Sequence, residues 1–250
     1  TAKGDYVIDL VMTTEKASNK MNLVQAGPRK DWSPVEPVLE QDGEMINCEV
    51  VPGLSYFLCG KNIADKEITL PYDLSGESNG FYSVYSMDKQ GFKSDCSNPV
   101  IKTDWQNVFE AEDAVSRGAF SNVHSDYSGR GFVVDLCAKP ADFVFTIDVP
   151  ADGDYALVLS GANGHGPDGT YCAIRSVYID DQDAGSFILE ATGDWNKWLN
   201  SNYVVRALKA GRHTVSLKFN PEDRGFDFNM SHGRENANDY NLDYLKVIRM

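Results

Sequence analysis

The chain has 250 residues, 42% of them apolar and 24% charged, which is an ordinary globular balance and not a disordered one. Lys plus Arg number 23 against 37 Asp plus Glu, a net charge of -14, so the surface repels nucleic acid and anionic lipid at long range. No apolar run approaches the ~20 residues needed to cross a bilayer, so neither nucleic acid nor membrane insertion is expected.

The length allows one large domain or two small ones. The chain opens on Thr1 rather than Met, which reads as a mature or trimmed piece of a longer protein. The cysteines Cys48, Cys59, Cys96, Cys137 and Cys172 contain no C-x-x-C pair, which argues against a zinc site or a redox motif. One or two disulfides would suit an oxidising compartment.

Helix signals are weak, and strand signals recur at short spacing between Gly, Pro, Asn and Asp clusters. In chain order, Ser18 to Glu44 is irregular. Gly80 to Ser94 then reads as an alternating strand, a Lys89-Gln90-Gly91 turn and a return strand. That piece resembles the final hairpin of fibronectin type III domains, and implies an immunoglobulin or fibronectin III-like sandwich over residues 1–104. Ser97 to Thr103 looks like the last strand of that unit, and a fresh strand begins near Val108. The acidic excess is shared by both parts, so charge does not mark the boundary.

Further on, Phe143, Phe145, Ile147 and Val149 alternate with polar or smaller residues, as do Val215, Leu217 and Phe219. Period two means half-buried strands. Pro150-Ala151-Asp152-Gly153 turns the first of these into the next, Tyr155 to Ser160. Many short strands with turns between them predict an all-β chain of two β-sandwiches.

Catalytic motifs are missing. His124, His165, His213 and His232 sit in no nucleophile, zinc or acid–base pattern, and there is no Gly-x-Ser-x-Gly. His213, at a strand start, reads as a structural, partly exposed histidine. The glycine-rich stretch Gly161 to Gly169 precedes a strand rather than a helix, so it reads as a flexible loop and not a phosphate cradle. The carboxylates are too many for spacing alone to select a glycosidase pair.

One acidic cluster stands apart. Glu110 and Glu112 would share a strand face at i and i+2, and Asp243 shares parity with the apolar Leu245 and Val247. Three hard oxygen donors from the first and last strands suggest Ca²⁺. The alternative is that the glutamates face solvent and Asp243 caps a turn.

The C-terminal part carries a collinear set of segments from Phe109-Glu110-Ala111-Glu112 to Asn241-Leu242-Asp243-Tyr244-Leu245. Between them lie Gly129-Arg130-Gly131-Phe132, Val149 to Tyr155, Thr192-Gly193-Asp194-Trp195 and Leu208 to Val215. In this order they resemble carbohydrate-binding modules of families six and thirty-five. The resemblance implies a jelly roll over residues 105–250, with calcium held by Glu110, Glu112 and Asp243. It also implies a sugar site at one end, with Phe132 and Trp195 as aromatic plates and Asn241 as the amide. The family commonly has Tyr at the first position; Tyr127 is close enough in sequence to replace the missing hydroxyl. Trp198 is either a second plate or a packed anchor.

The long insertion from Asn220 to Tyr240 carries Arg224, His232 and Arg234. These cations would hold a uronate carboxylate, or form ion pairs within a solvated loop. The expected function is therefore non-catalytic binding of a polysaccharide or oligosaccharide, uronic acid-containing or not. The chain would be part of a secreted, periplasmic or surface-bound enzyme whose catalytic domain lies elsewhere in the same protein. The rivals are an adhesive or structural pair of sandwiches and an enzyme with its own carboxylates.

Overall fold

The computed structural model describes residues 33–60, 63–135, 142–164, 172–219 and 239–250. Arg224, His232, Arg234, Cys137, His165 and most of the Gly161 to Gly169 loop fall outside these residues, as do residues 18–32.

The chain is all-β and builds two sandwiches. In the first, β1 (Glu40–Asp42), β2 (Met45–Asn47) and β5 (Tyr72–Asp73) form one sheet. The facing sheet has the order β4 (Ile63–Ile68), β3 (Ser55–Gly60), β6 (Gly80–Met87), β7 (Val100–Lys102). Ile46, Leu58, Leu74 and Val84 are buried between them. The alternation that marks β6 in the sequence is that of a strand with one face in this core.

The expected return strand after the turn is different. Gly91 takes φ +88° and the turn closes, but only Met87 and Lys93 bridge beyond it. The hydroxyls of Ser94 and Ser97 accept from the Ser86 and Val84 amides at 2.9 Å. Side chains thus replace the carbonyls of a return strand, while the Ser94 and Ser97 amides still donate to the Ser86 and Val84 carbonyls at 2.8 and 2.9 Å, and Pro99 has no N–H to give. Pairing with β6 resumes at β7.

The second sandwich sets a seven-stranded sheet against a four-stranded one. The larger sheet holds β8 (Gln106–Glu110), β9 (Ala119–Ser121), β10 (Phe132–Asp135) and β12 (Gly153–Ala162). It also holds β15 (Leu199–Asn200), β16 (Val204–Leu208) and β18 (Tyr240–Arg249). The smaller sheet runs β11 (Phe143–Val149), β17 (Gly211–Lys218), β13 (Cys172–Ile179), β14 (Gln182–Glu190). Phe143, Phe145, Ile147, Leu157, Leu159, Val215 and Leu217 fill the space between the sheets. The last strand, β18, pairs with both β8 and β12, which brings the two ends of this stretch together.

β12 is buried on both faces. Tyr155, Leu157 and Leu159 face the sandwich core, while Ala156 and Val158 on the outer face form a separate apolar cluster with Ile248, packed by Phe81, Ile101, Tyr203 and Met250. Phe81 and Ile101 belong to the first sandwich, so the two sandwiches touch through this cluster. The rings of Phe81 and Tyr203 lie 4.7 Å apart. The Thr103 hydroxyl donates to the Arg249 carbonyl at 2.7 Å, and Arg249 pairs with Asp104 at 3.1 Å.

Candidate functional site

Two neighbouring features occupy the outer side of the larger sheet: a carboxylate cluster and an aromatic cluster. The loop Ser128–Gly129–Arg130 joins the three carboxylates. The Ser128 hydroxyl donates to Glu110 Oε1 at 2.9 Å and its amide to Asp243 Oδ1 at 2.9 Å. The Arg130 amide donates to Glu112 Oε1 at 2.7 Å. Gly129 holds φ +60°, and a Cβ there would come within 2.6 Å of Glu112 Oε1. Both the backbone conformation and the space call for glycine.

The convergence does not arise as strand alternation would have it. β8 ends at Glu110, and Ala111–Asp113 is a 3-10 turn with Ala111 in the core. That turn, not a shared strand face, swings Glu112 beside Glu110. Asp243 also departs from its expected apolar row. Ser160 pairs with Tyr244 but Gly161 with Leu242, so a bulge at Asp243 shifts the parity. Leu242 and Leu245 both point into the core; Asp243 turns to the Ser128 amide and, at 3.3 Å, to the Ser160 hydroxyl.

Burial pushes Asp243 up to about 6, opposed by the Ser128 amide and reinforced by the Glu110 and Glu112 charges. Glu110 is likewise raised, first by burial, against its Ser128 hydrogen bond. Glu110 Oε2 and Glu112 Oε2 are buried without a hydrogen-bond partner. Two orphaned carboxylate oxygens side by side fit a hard cation. Among the described residues, however, no three His, Cys, Asp or Glu side chains close on one point as a finished ligand set; the Asp243 oxygens accept from the Ser128 amide and the Ser160 hydroxyl.

Beside this cluster, Phe132 is the floor of a group of rings. Its centroid lies 5.3 Å from Trp198, 5.4 Å from His124 and 5.8 Å from Tyr127. Phe132 is fully buried, so it is not the open sugar plate expected of it; it supports the rings above. Trp198 is half-buried, and its indole N–H donates to the Ser125 carbonyl at 2.7 Å. Trp195 is half-buried too. A Cβ on Gly164 would come within 2.5 Å of its ring, so the indole rests against a bare stretch of backbone. His124 stacks toward it at 6.4 Å. Asn241 lies on β18 opposite Val134 and Ala162 and is 4% exposed, which leaves its amide little surface to offer.

Sequence reasoning did not single out Asp135 and Arg175, a buried ion pair at 2.7 Å. Strand parity was the available signal: Arg175 shares its face with Ala173 and Val177, and Asp135 with Val133.

No family model matches the chain. It is 35% identical over 112 residues to a cycloisomaltooligosaccharide glucanotransferase from Niallia circulans, covering 44% of this chain and 11% of that protein. A second protein of that name from the same organism is 28% identical over 186 residues, covering 72% of this chain and 17% of the relative. That match is longer than Trp105 to Met250 and so reaches into the first sandwich. A family 35 carbohydrate-binding module from Cellvibrio japonicus is 24% identical, covering 58% of this chain and 93% of the module, with a TM-score of 0.45. The chain thus spans only 11% to 17% of the length of these curated relatives.

Proposed function

We propose that this chain is a non-catalytic carbohydrate-binding part of a larger, secreted glucan-processing enzyme, and that its ligand is a neutral α-1,6-linked glucan. The observation that carries this is the pair of half-buried indoles, Trp195 and Trp198, raised on Phe132 and Gly164 within a polar loop. A sugar ring presents apolar C–H faces, which such plates cover while its hydroxyls stay hydrogen-bonded. A net charge of -14 favours a neutral glycan over a uronate. The names of the relatives, cycloisomaltooligosaccharide glucanotransferase and 1,6-alpha-glucosyltransferase, supply the linkage.

Calcium would be held by Glu110, Glu112 and Asp243, whose charges it would offset. The orphaned glutamate oxygens support this. The first sandwich serves as a platform set against the outer face of the second.

The test is calorimetric titration of the full chain with isomaltohexaose and with a glucuronate-bearing xylooligosaccharide. The expected result is a dissociation constant of about 10 μM to 1 mM for the first ligand and none measurable for the second. Trp195→Ala should abolish binding with little change in melting temperature. A chain that prefers the glucuronate ligand would overturn the neutral-glucan assignment. A Trp195→Ala protein that melts many degrees lower and still binds would make Trp195 a packing residue.

A further inference from the structure

An open groove of about 570 Å³ lies on the outer face of the larger sheet, with Trp198 but not Trp195 in its wall. We propose that it is a second sugar position, which extends the Trp195 site along the interior of a glucan chain; this rests on the carbohydrate-binding reading above. Its size falls in the ~300–1,000 Å³ range of small-molecule clefts.

The groove is lined by Asp126, Tyr127, Ser160, Trp198, Asn200 and Tyr244, with Ser128 and Asp243 at its base. It follows from the fold. The bulge at Asp243 turns Tyr244 out of the core row, and β15 spans only two residues beside β12, so the sheet face there is left open. Three of the lining residues are aromatic. Trp198 belongs both to this groove and to the ring cluster under the Trp195 site, and Tyr127 stands edge-on to it at 6.4 Å. The indole N–H is held by the Ser125 carbonyl, which fixes the ring in the groove wall. A chain crossing Trp198 would therefore meet aromatic surface on both sides.

The polar groups suit hydroxyls. Asn200 and Asp126 are exposed, an amide that both donates and accepts and a carboxylate that accepts, matching vicinal hydroxyl pairs. Asp126 is held at φ +65°, with the Ser125 hydroxyl donating to its carboxylate at 2.8 Å. The lining includes neither Lys nor Arg, so no basic side chain is there to pair with a uronate, and the polar groups suit a neutral sugar. A smaller hollow of about 330 Å³ at the Asp152 and Lys209 turns has no aromatic lining and offers no such surface.

The experiment uses the full chain with isomaltotriose and isomaltohexaose, with Asn200→Ala, Tyr244→Ala and Trp195→Ala variants. The parent should bind isomaltohexaose about tenfold more tightly than isomaltotriose, because one chain then spans both positions. Asn200→Ala and Tyr244→Ala should each remove that gain and leave isomaltotriose affinity unchanged. Asn200 is exposed, so its variant decides the matter if Tyr244→Ala loses stability. Full chain-length dependence in Asn200→Ala would overturn the groove, while loss of binding in Trp195→Ala would leave the first site standing. If the parent binds neither oligosaccharide, both positions fall together.

Discussion

Arg175 and Asp135 lie 2.7 Å apart inside the second sandwich, with 2% and 0% of their side chains exposed. The guanidinium also sits 4.6 Å from the Tyr240 ring and 4.9 Å from that of Phe219. The Arg175 guanidinium also donates to the Ile174 carbonyl at 2.8 Å. Removing one partner leaves the other buried without its opposite charge at 2.7 Å.

Asp135→Ala and Arg175→Met are therefore each expected to cost about 3–5 kcal/mol of stability. The double replacement Asp135→Leu with Arg175→Met should recover most of that loss, since two apolar side chains leave no orphaned charge. Urea unfolding of the three variants reads this directly. Additive losses in the double variant would show that the pair is not a unit.

The carboxylate cluster leads to a calcium prediction. Calcium at a hundred times its dissociation constant should stabilise the native chain by about 2.7 kcal/mol. Glu112→Gln and Asp243→Asn should each remove the response of the melting temperature to calcium and to EDTA. Retention of the full response in both variants would dismiss these residues as ligands.

His213 sets a pH dependence. Its Nδ1 lies 2.5 Å from Asp180 Oδ2 and its Nε2 2.7 Å from the Lys209 carbonyl. Both neighbours accept, so both ring nitrogens must carry hydrogen, and the ring is best satisfied as the imidazolium. Burial pulls its pKa down, but the Lys209 carbonyl and the Asp180 carboxylate outweigh this, and the net shift is upward. The raised value means that the stabilisation is fully present below the unfolded pKa of about 6.5 and is lost as pH rises through the folded value. His213→Gln should thus lower the melting temperature more at about pH 6 than at about pH 9. Equal losses at the two pH values would contradict the charged-ring assignment.

The contact between sandwiches predicts a cost for Phe81→Ala of about 1–3 kcal/mol from lost burial against Tyr203. A chain beginning at Lys102 should still melt cooperatively, because its core is built from its own residues. It should melt lower than the parent and bind a hydrophobic dye, since Ala156, Val158 and Ile248 lose their cover. A truncated chain that fails to fold would show that the two parts share one core.

The strands β11 and β17 were legible in the sequence, because a strand with one face in a core must alternate, and Phe143 to Val149 and Val215 to Leu217 do. The Asp152–Gly153 turn carried its own chemistry for the same local reason. The face that Asp243 takes was not legible, because a single extra residue in β18 reverses parity and leaves no mark on composition. Glu112 reaches Glu110 through a 3-10 turn that pattern alone reads as more strand.

Local order therefore determined which residues form strands, and the resemblance marked Glu110, Glu112 and Asp243 as one group. Only the tertiary structure decided what covers each residue. Phe132 reads as an open plate until Trp198, His124 and Tyr127 are laid over it. Val158 reads as half-exposed until Phe81 and Ile101 close its outer face. The physical reason is that periodicity encodes which way a side chain points, whereas burial depends on residues distant in sequence, here the loop from His124 to Arg130 and the edge of another sandwich.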